Sequence, residues 1–475
     1  MAYEVENPPV AGVPSASAPP AGASEAGVPA TDGIEAAGAA PPAPLPGAPE
    51  ASGAAPRDEA APRRPPGGIL SSLELPQFRW LFASNTTFFL AMGGQQVLRS
   101  WLVFQITGSE LALGWVSALV ALPMLLIAPI GGAIADRLDR RTLVAGGQLI
   151  VVTGEITVLA LLLTGRLQFW HLLVMAGLMG TSFPFIMPAR QAIVANVVGR
   201  ARMSNAMALN MAAVNTTRVI GPAVAGFAIG AIGVGPAYAV NVALYVAALA
   251  CLTGLQPAPP ARGPSRGTMA QSMNEGLRYI LHDRLVLVLL FFGLVPMFLV
   301  MPFQNLLVVF TEQVWRVGPE GLGILSASAG AGGMVGAVLV AWRRESKGRL
   351  RSMMLAAFAF GAFLFLFALS PWYLLALPLV FLANVFANYY SALNNIAVQM
   401  LVPDEVRGRV SSFLMMSFAL PLLGTLPVAA VAELVGAPAA VAGASVIAVL
   451  VAVGFYLVSP SLRGMDDRVR RAMLD

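Results

Sequence analysis

The sequence predicts an all-α integral membrane protein: twelve transmembrane helices in two pseudo-symmetric six-helix bundles, with a disordered N-terminal tail. Three observations predict it. Of the 475 residues, 57% are hydrophobic and 11% charged, with mean hydropathy +0.74, whereas soluble domains carry about 25% charge. From Phe78 onward apolar stretches recur, each long enough to cross a hydrocarbon core of about 30 Å. Basic residues collect in alternate breaks between those stretches, as cytoplasmic loops do.

Residues 1–68 are rich in Ala, Pro and Gly, lack hydrophobic periodicity and carry eight acids against three bases, a net charge of −5. Such a segment cannot bury a core and reads as a disordered cytoplasmic tail. It has neither the basic start nor the apolar centre of a signal peptide. Spans are expected near 78–104, 110–133, 143–164, 169–188, 205–231, 236–255, 285–310, 320–341, 352–370, 372–397, 411–434 and 438–458. Loops on one side hold clusters such as Arg137, Arg140 and Arg141, or Arg190, Arg200 and Arg202, and the opposite side holds only Arg166 and Arg316. Both termini are therefore expected in the cytoplasm.

The break at 256–284, with PAPPARGPSRG, divides the spans six and six. The predicted organisation is a tail (1–68), an N-terminal bundle (69–255), a cytoplasmic linker (256–284), a C-terminal bundle (285–460) and a cytoplasmic end (461–475). PARQAIVANVVGRARMS before the fifth span is weakly similar to NNIAVQMLVPDEVRGRVSS before the eleventh, a hint of internal repetition of the kind transporter folds use.

Several chemistries have too few groups to draw on. Cys251 is the single cysteine, and His171 and His282 are the two histidines, too little for a disulfide, a histidine metal centre or a Ser/His/Asp triad. A GxxxxGK[ST] loop is absent, which argues against an ATP-driven pump in this chain. No enzyme activity, cofactor, metal or nucleic-acid partner is expected, and the chain is expected to act as a monomer.

Between the second and third spans the chain reads GGAIADRLDRR (Gly131–Arg141). Asp136 can approach the positive N-terminal end of a helix from the other half, and Arg137, Arg140 and Arg141 can meet carboxylates or headgroups. The arginines read equally as a topogenic anchor. With twelve spans around it, the loop resembles the major facilitator superfamily motif G-x-x-x-D-R-x-G-R-R, through Gly132, Asp136, Arg137, Arg140 and Arg141, with Asp139 where glycine is usual. SWLVFQITGSELALG (Ser100–Gly114), PARQAIVANVV with SNAMALN (Pro188–Asn210) and VPDEVRGRVSS (Val402–Ser412) are similar to its branch of macrolide-efflux and enterobactin-export proteins. The resemblance implies proton-driven export, across the inner membrane, of a medium-sized amphipathic molecule: a drug, siderophore or secondary metabolite. It also implies that Asp136 gates against the eleventh span near Arg409 to Ser411, and that Gly221, Pro222 and Gly226 form the antiporter Gly-Pro motif. The chain departs from the branch at Met92, where relatives often carry an acid.

Ionisable groups at bilayer depth cost roughly 2.5 kcal/mol or more each and are functional candidates by default. Arg99, Glu155, Arg218 and, at an outer end, Glu433 qualify. Glu155 reads either as a proton carrier or as half of a static ion pair with Arg99 or Arg218. Polar side chains also recur at helical spacing: Asn85, Met92, Gln96 and Arg99; Met211, Asn215 and Arg218; Met301 and Gln304 or Asn305; Asn384, Asn388, Ser391 and Asn395. Lipid-facing amides are disfavoured, so these stripes line a substrate cavity or tie helices together, and the cavity is favoured. Two rival readings remain: a non-transporting membrane partner that docks through its tail, and an importer or lipid flippase of the same fold.

Overall fold

The computed structural model describes residues 70–135, 138–258, 277–342, 348–403 and 419–472. The expectations for the tail, for Asp136 and Arg137, for most of the linker and for the start of the eleventh span lie outside the described residues. Every element described is helical.

The first helix, α1 (Pro76–Thr107), starts on a proline, whose missing N–H costs nothing in a first turn, and stops at Gly108 (φ 63). Next come α2 (Glu110–Ala135) and α3 (Arg140–Leu163). Asp139 caps α3, accepting from the Thr142 backbone N–H at 2.9 Å. One helical stretch, Phe169–Ile232, then runs through Pro184, Pro188 and Pro222 and is broken inside by Gly199 (φ 66, ψ 177). It makes two spans, α4 (Phe169–Gly199) and α5 (Arg202–Ile232). A backbone in that region is open to glycine and almost nothing else. The helix α6 (Val234–Cys251) completes the N-terminal set.

The C-terminal set opens with α7 (Arg284–Val300), capped by Asp283. The expected single span is kept, over Arg284–Val314, but its helix is interrupted: the chain turns at Met301–Pro302 and resumes as α8 (Phe303–Val309) with a π-turn over Phe310–Val314. Proline at 302 removes a backbone donor just where the helix would continue. Then follow α9 (Gly318–Trp342), α10 (Arg349–Ala368), α11 (Tyr373–Leu401), α12 (Leu420–Val435) and α13 (Ala437–Val458). A last helix, α14 (Met465–Ala472), is tied back to the set. Arg468 grips Asp283 with both terminal nitrogens, and Asp466 accepts from the Leu350 backbone at 3.1 Å.

Among the described residues ten helices are long and apolar enough to cross a membrane. The polar-striped α1 and the short described part of α12 occupy the expected first and eleventh places. Large apolar side chains such as Leu374 (78% exposed) and Leu126 (72%) face outward, a surface suited to lipid and far too apolar for water. The α5–α6 and α12–α13 breaks are alike: Gly233 (φ 85, ψ 165) and Gly436 (φ 86, ψ 150). Each is followed within three residues by a proline, Pro236 or Pro438.

Candidate functional site

The two helix sets meet along a seam of small residues. In α5, Gly226 backs directly onto α9: a Cβ built there would stand 2.6 Å from the Gly323 Cα and 2.5 Å from the Pro319 carbonyl oxygen. Further along, a Cβ on Gly330 would stand 2.6 Å from the Arg218 carbonyl oxygen. A second seam joins α2 to α12, where Gly114 lies against Leu426 and Ala429. Beyond it Glu433 of α12 accepts from the Ser109 hydroxyl (2.9 Å) and the Leu111 backbone N–H (3.0 Å) at the start of α2. An acid there meets the positive end of a helix. Without a hydrophobic force between helices in lipid, close backbone approach of this kind is what holds them.

The Gly-Pro triplet divides its work. Gly221 packs within its own set, a Cβ there meeting the Leu90 carbonyl oxygen at 2.8 Å and the Gly94 nitrogen at 3.1 Å, whereas Gly226 faces the other set.

At the opposite ends of α2 and α3, Gly132 lies in the last turns of α2. Arg140 donates to Asn196 Oδ1 at 3.0 Å, and Arg141 to the Leu252 and Thr253 carbonyls at 2.9 and 3.2 Å. Both arginines therefore bond to α4 and to the end of α6, inside the N-terminal set. Asp136, Arg137 and the 404–418 segment are outside the described residues.

A sealed polar cluster occupies the core of the N-terminal set. Glu155 is fully buried and accepts from Gln95 Nε2 and from the Tyr238 hydroxyl. Gln95 in turn accepts from the Tyr245 hydroxyl at 2.5 Å. Arg99 is near enough for its charge to act on Glu155, yet its Nη1 donates to Met179 Sδ at 3.2 Å. The spacing argument singled out Gln96, which is exposed, and passed over the buried Gln95 beside it.

The other polar stripes separate. Asn85 is buried and bonded to Asn210 (2.8 Å) and Arg190. On the C-terminal side Gln304 donates to Asn384 (3.2 Å), Asn388 to the Asn384 carbonyl (3.1 Å), and Asn305 to Thr425 (3.1 Å). Asn215 and Asn395 are half-buried. Several of these amides are thus spent on tying helices together. Tyr390 is buried, its hydroxyl on the Phe292 carbonyl.

Arg190 corrects the sequence reading most sharply. Placed there in a cytoplasmic loop, it lies inside α4 and is 3% exposed, because the helix runs on to Gly199 instead of ending near 188. A loop cluster of arginines had looked topogenic; one member is a core residue.

The family model described as "Transmembrane secretion effector" matches residues 68–473. The multidrug efflux pump Tap of Mycolicibacterium fortuitum is 27% identical, over 65% of this chain and 78% of its own. The staphyloferrin A transporter of Staphylococcus aureus is 23% identical, over 81% and 97%. Macrolide efflux protein A of Streptococcus pyogenes is 22% identical, over 69% and 83%. The crystal structure of the nucleoside transporter NupG has the same fold, with a TM-score of 0.66 at 13% identity over 80% of this chain and 98% of that one.

Proposed function

Since the chain belongs to the transmembrane secretion effector family of the major facilitator superfamily, we propose that it is a secondary active exporter working by alternating access. Its place is the cell membrane, with twelve spans, two six-helix bundles and both termini in the cytoplasm. Its cargo is a medium-sized amphipathic molecule, as the names of the efflux relatives suggest, and protons supply the drive.

One observation carries the reading: the paired seams, Gly226 on Gly323 and Gly114 on Leu426, bring the two sets together at the ends remote from the Gly132–Arg141 loop. Such contacts are made of backbone and small residues, so they part without leaving buried charges unpaired. On this reading they form the outer gate, Glu433 is its latch, and Gly132, Asp136, Arg137, Arg140 and Arg141 form the inner gate. Glu155 is the coupling carboxyl, since its hydrogen-bonding partners Gln95 and Tyr238 are neutral and can serve either protonation state. Arg99 is the nearby charge that steers it, while Arg218 sits on α5 where its carbonyl meets Gly330 of α9. Gln96, Asn215 and Asn395 supply polar contacts along the cargo path, while Gln304, Asn384 and Asn388 hold the helices beside it.

The test is transport by the purified full-length chain in proteoliposomes, with a macrolide and a citrate-type siderophore as probes. Uptake into inside-out vesicles that follows an imposed proton gradient is expected. Uptake that ignores the gradient, beside a working control exporter, overturns the coupling; no uptake of either probe overturns the export reading.

A further inference from the structure

The guanidinium of Arg190 sits in the core of the N-terminal set, among α1, α4 and α5. Its Nη1 donates to Asn85 Oδ1, its Cζ lies 4.3 Å from the centre of the Phe88 ring, and Asn85 leads on to Asn210. Its Nε and Nη2 are buried and, among the described residues, have no acceptor.

A buried cation without an anion is costly, and buried charges in folded proteins are paired. The orphaned donors are informative in themselves. Nε and Nη2 lie along one edge of the planar guanidinium, the edge that takes the two oxygens of a carboxylate side by side. The amide of Asn85 and the Phe88 ring hold the guanidinium, and that edge is buried with its donors unmatched, so an anion enters it only in a conformation where the core has opened. We propose that Arg190, held by Asn85 and Phe88, is an oxyanion-binding subsite that takes a carboxylate group of the transported solute. The claim rests on the transporter reading only for what bears the carboxylate. A lipid phosphate offers similar oxygens, but the site lies inside a three-helix core, where a headgroup attached to two acyl chains fits poorly.

The experiment is thermal unfolding of the full-length protein in nanodiscs of phosphatidylcholine, with acetate, inorganic phosphate or chloride at equal ionic strength. Acetate raises the melting temperature above its value in chloride, and Arg190→Gln weakens the apparent acetate affinity roughly 30-fold or more. Arg190→Lys keeps part of the response. Asn85→Asp supplies the missing anion internally, with Asn210 free to turn its amide over. That variant melts higher than wild type without added salt and no longer responds to acetate. Three outcomes overturn the proposal: equal melting in acetate and chloride; an Asn85→Asp variant that melts lower and still responds to acetate; or phosphatidylglycerol discs that reproduce the shift through Arg190 and abolish the acetate effect, which would make a headgroup the ligand. These readouts do not need transport, so a chain that binds acetate at Arg190 yet moves no probe sinks the export reading and leaves this one standing.

Discussion

A single methyl group at Gly226 is the smallest perturbation that reaches the seam. The added Cβ would stand 2.6 Å from the Gly323 Cα and 2.8 Å from its nitrogen, backbone atoms that cannot swing aside. Ordinary contact begins at 3.4 Å, so α5 and α9 must part by about 0.8 Å, the difference between 3.4 and 2.6. Overpacking of this kind costs about 1–3 kcal/mol. Only the arrangement in which the seam is closed feels it, so the closed-to-open ratio falls roughly 5- to 150-fold. Spin labels at Ile232 and Leu434, both exposed and one in each helix set, report the separation by pulsed electron resonance once Cys251 is replaced by serine. Gly226→Ala is expected to move population from the short to the long distance. Gly146→Ala, whose Cβ meets nothing within 4 Å, is expected to leave the distances alone. An unchanged distribution in Gly226→Ala, or an equal change in Gly146→Ala, would refute the seam as a gate.

Other substitutions test separate parts. Glu155→Gln is expected to flatten the pH dependence of gradient-driven transport; an unchanged pH profile removes Glu155 as the coupling carboxyl. Tyr238→Phe deprives a fully buried acid of a donor, which costs about 1–3 kcal/mol, and chemical denaturation that shows no loss would mean the hydroxyl does not hold Glu155. Glu433→Gln weakens the contact with the start of α2 by about 0.3–1 kcal/mol, seen with the same spin labels as a shift toward the long distance; a shift toward the short one would contradict the latch. Asp139→Ala removes the cap on α3 and is expected to cost about 1 kcal/mol in a thermal melt while leaving the label distances unchanged.

Legibility followed the physics of each feature. Membrane class and span positions could be read from the sequence because a lipid core demands about 20 apolar residues in a row; α2, α3, α6, α9, α10 and α13 lie close to where hydropathy put them. The break at Met301–Pro302 was missed because hydropathy averages over it and one proline does not lower it. Gln95 was missed because a spacing rule selects a face without saying which face meets a neighbour; Asn85, Gln96 and Arg99 were aligned with each other, whereas Glu155 lies off that line. Arg190 was misplaced because basic residues near a span end carry the same signal whether they anchor a loop or lie, as here, about two and a half helical turns inside. The pairing of Gly226 with Gly323 could not be read at all, since small residues are common in membrane helices and their partners are distant in sequence.

The break at Gly199 has a mechanical consequence. Arg190 lies nine residues before it and Gly226 twenty-seven after it, so at 1.5 Å per residue the far arm is about 40 Å long. A change of about 5° in the angle at Gly199 displaces that arm by about 3.5 Å at its tip, several times the 0.8 Å by which an alanine at Gly226 would force the seam apart. The joint is thus a lever with a gain set by helix length: a rotation imposed near Arg190 would be magnified at the Gly226 end of α5. Shortening the arm, rather than altering any charge, would be the way to turn the gain down.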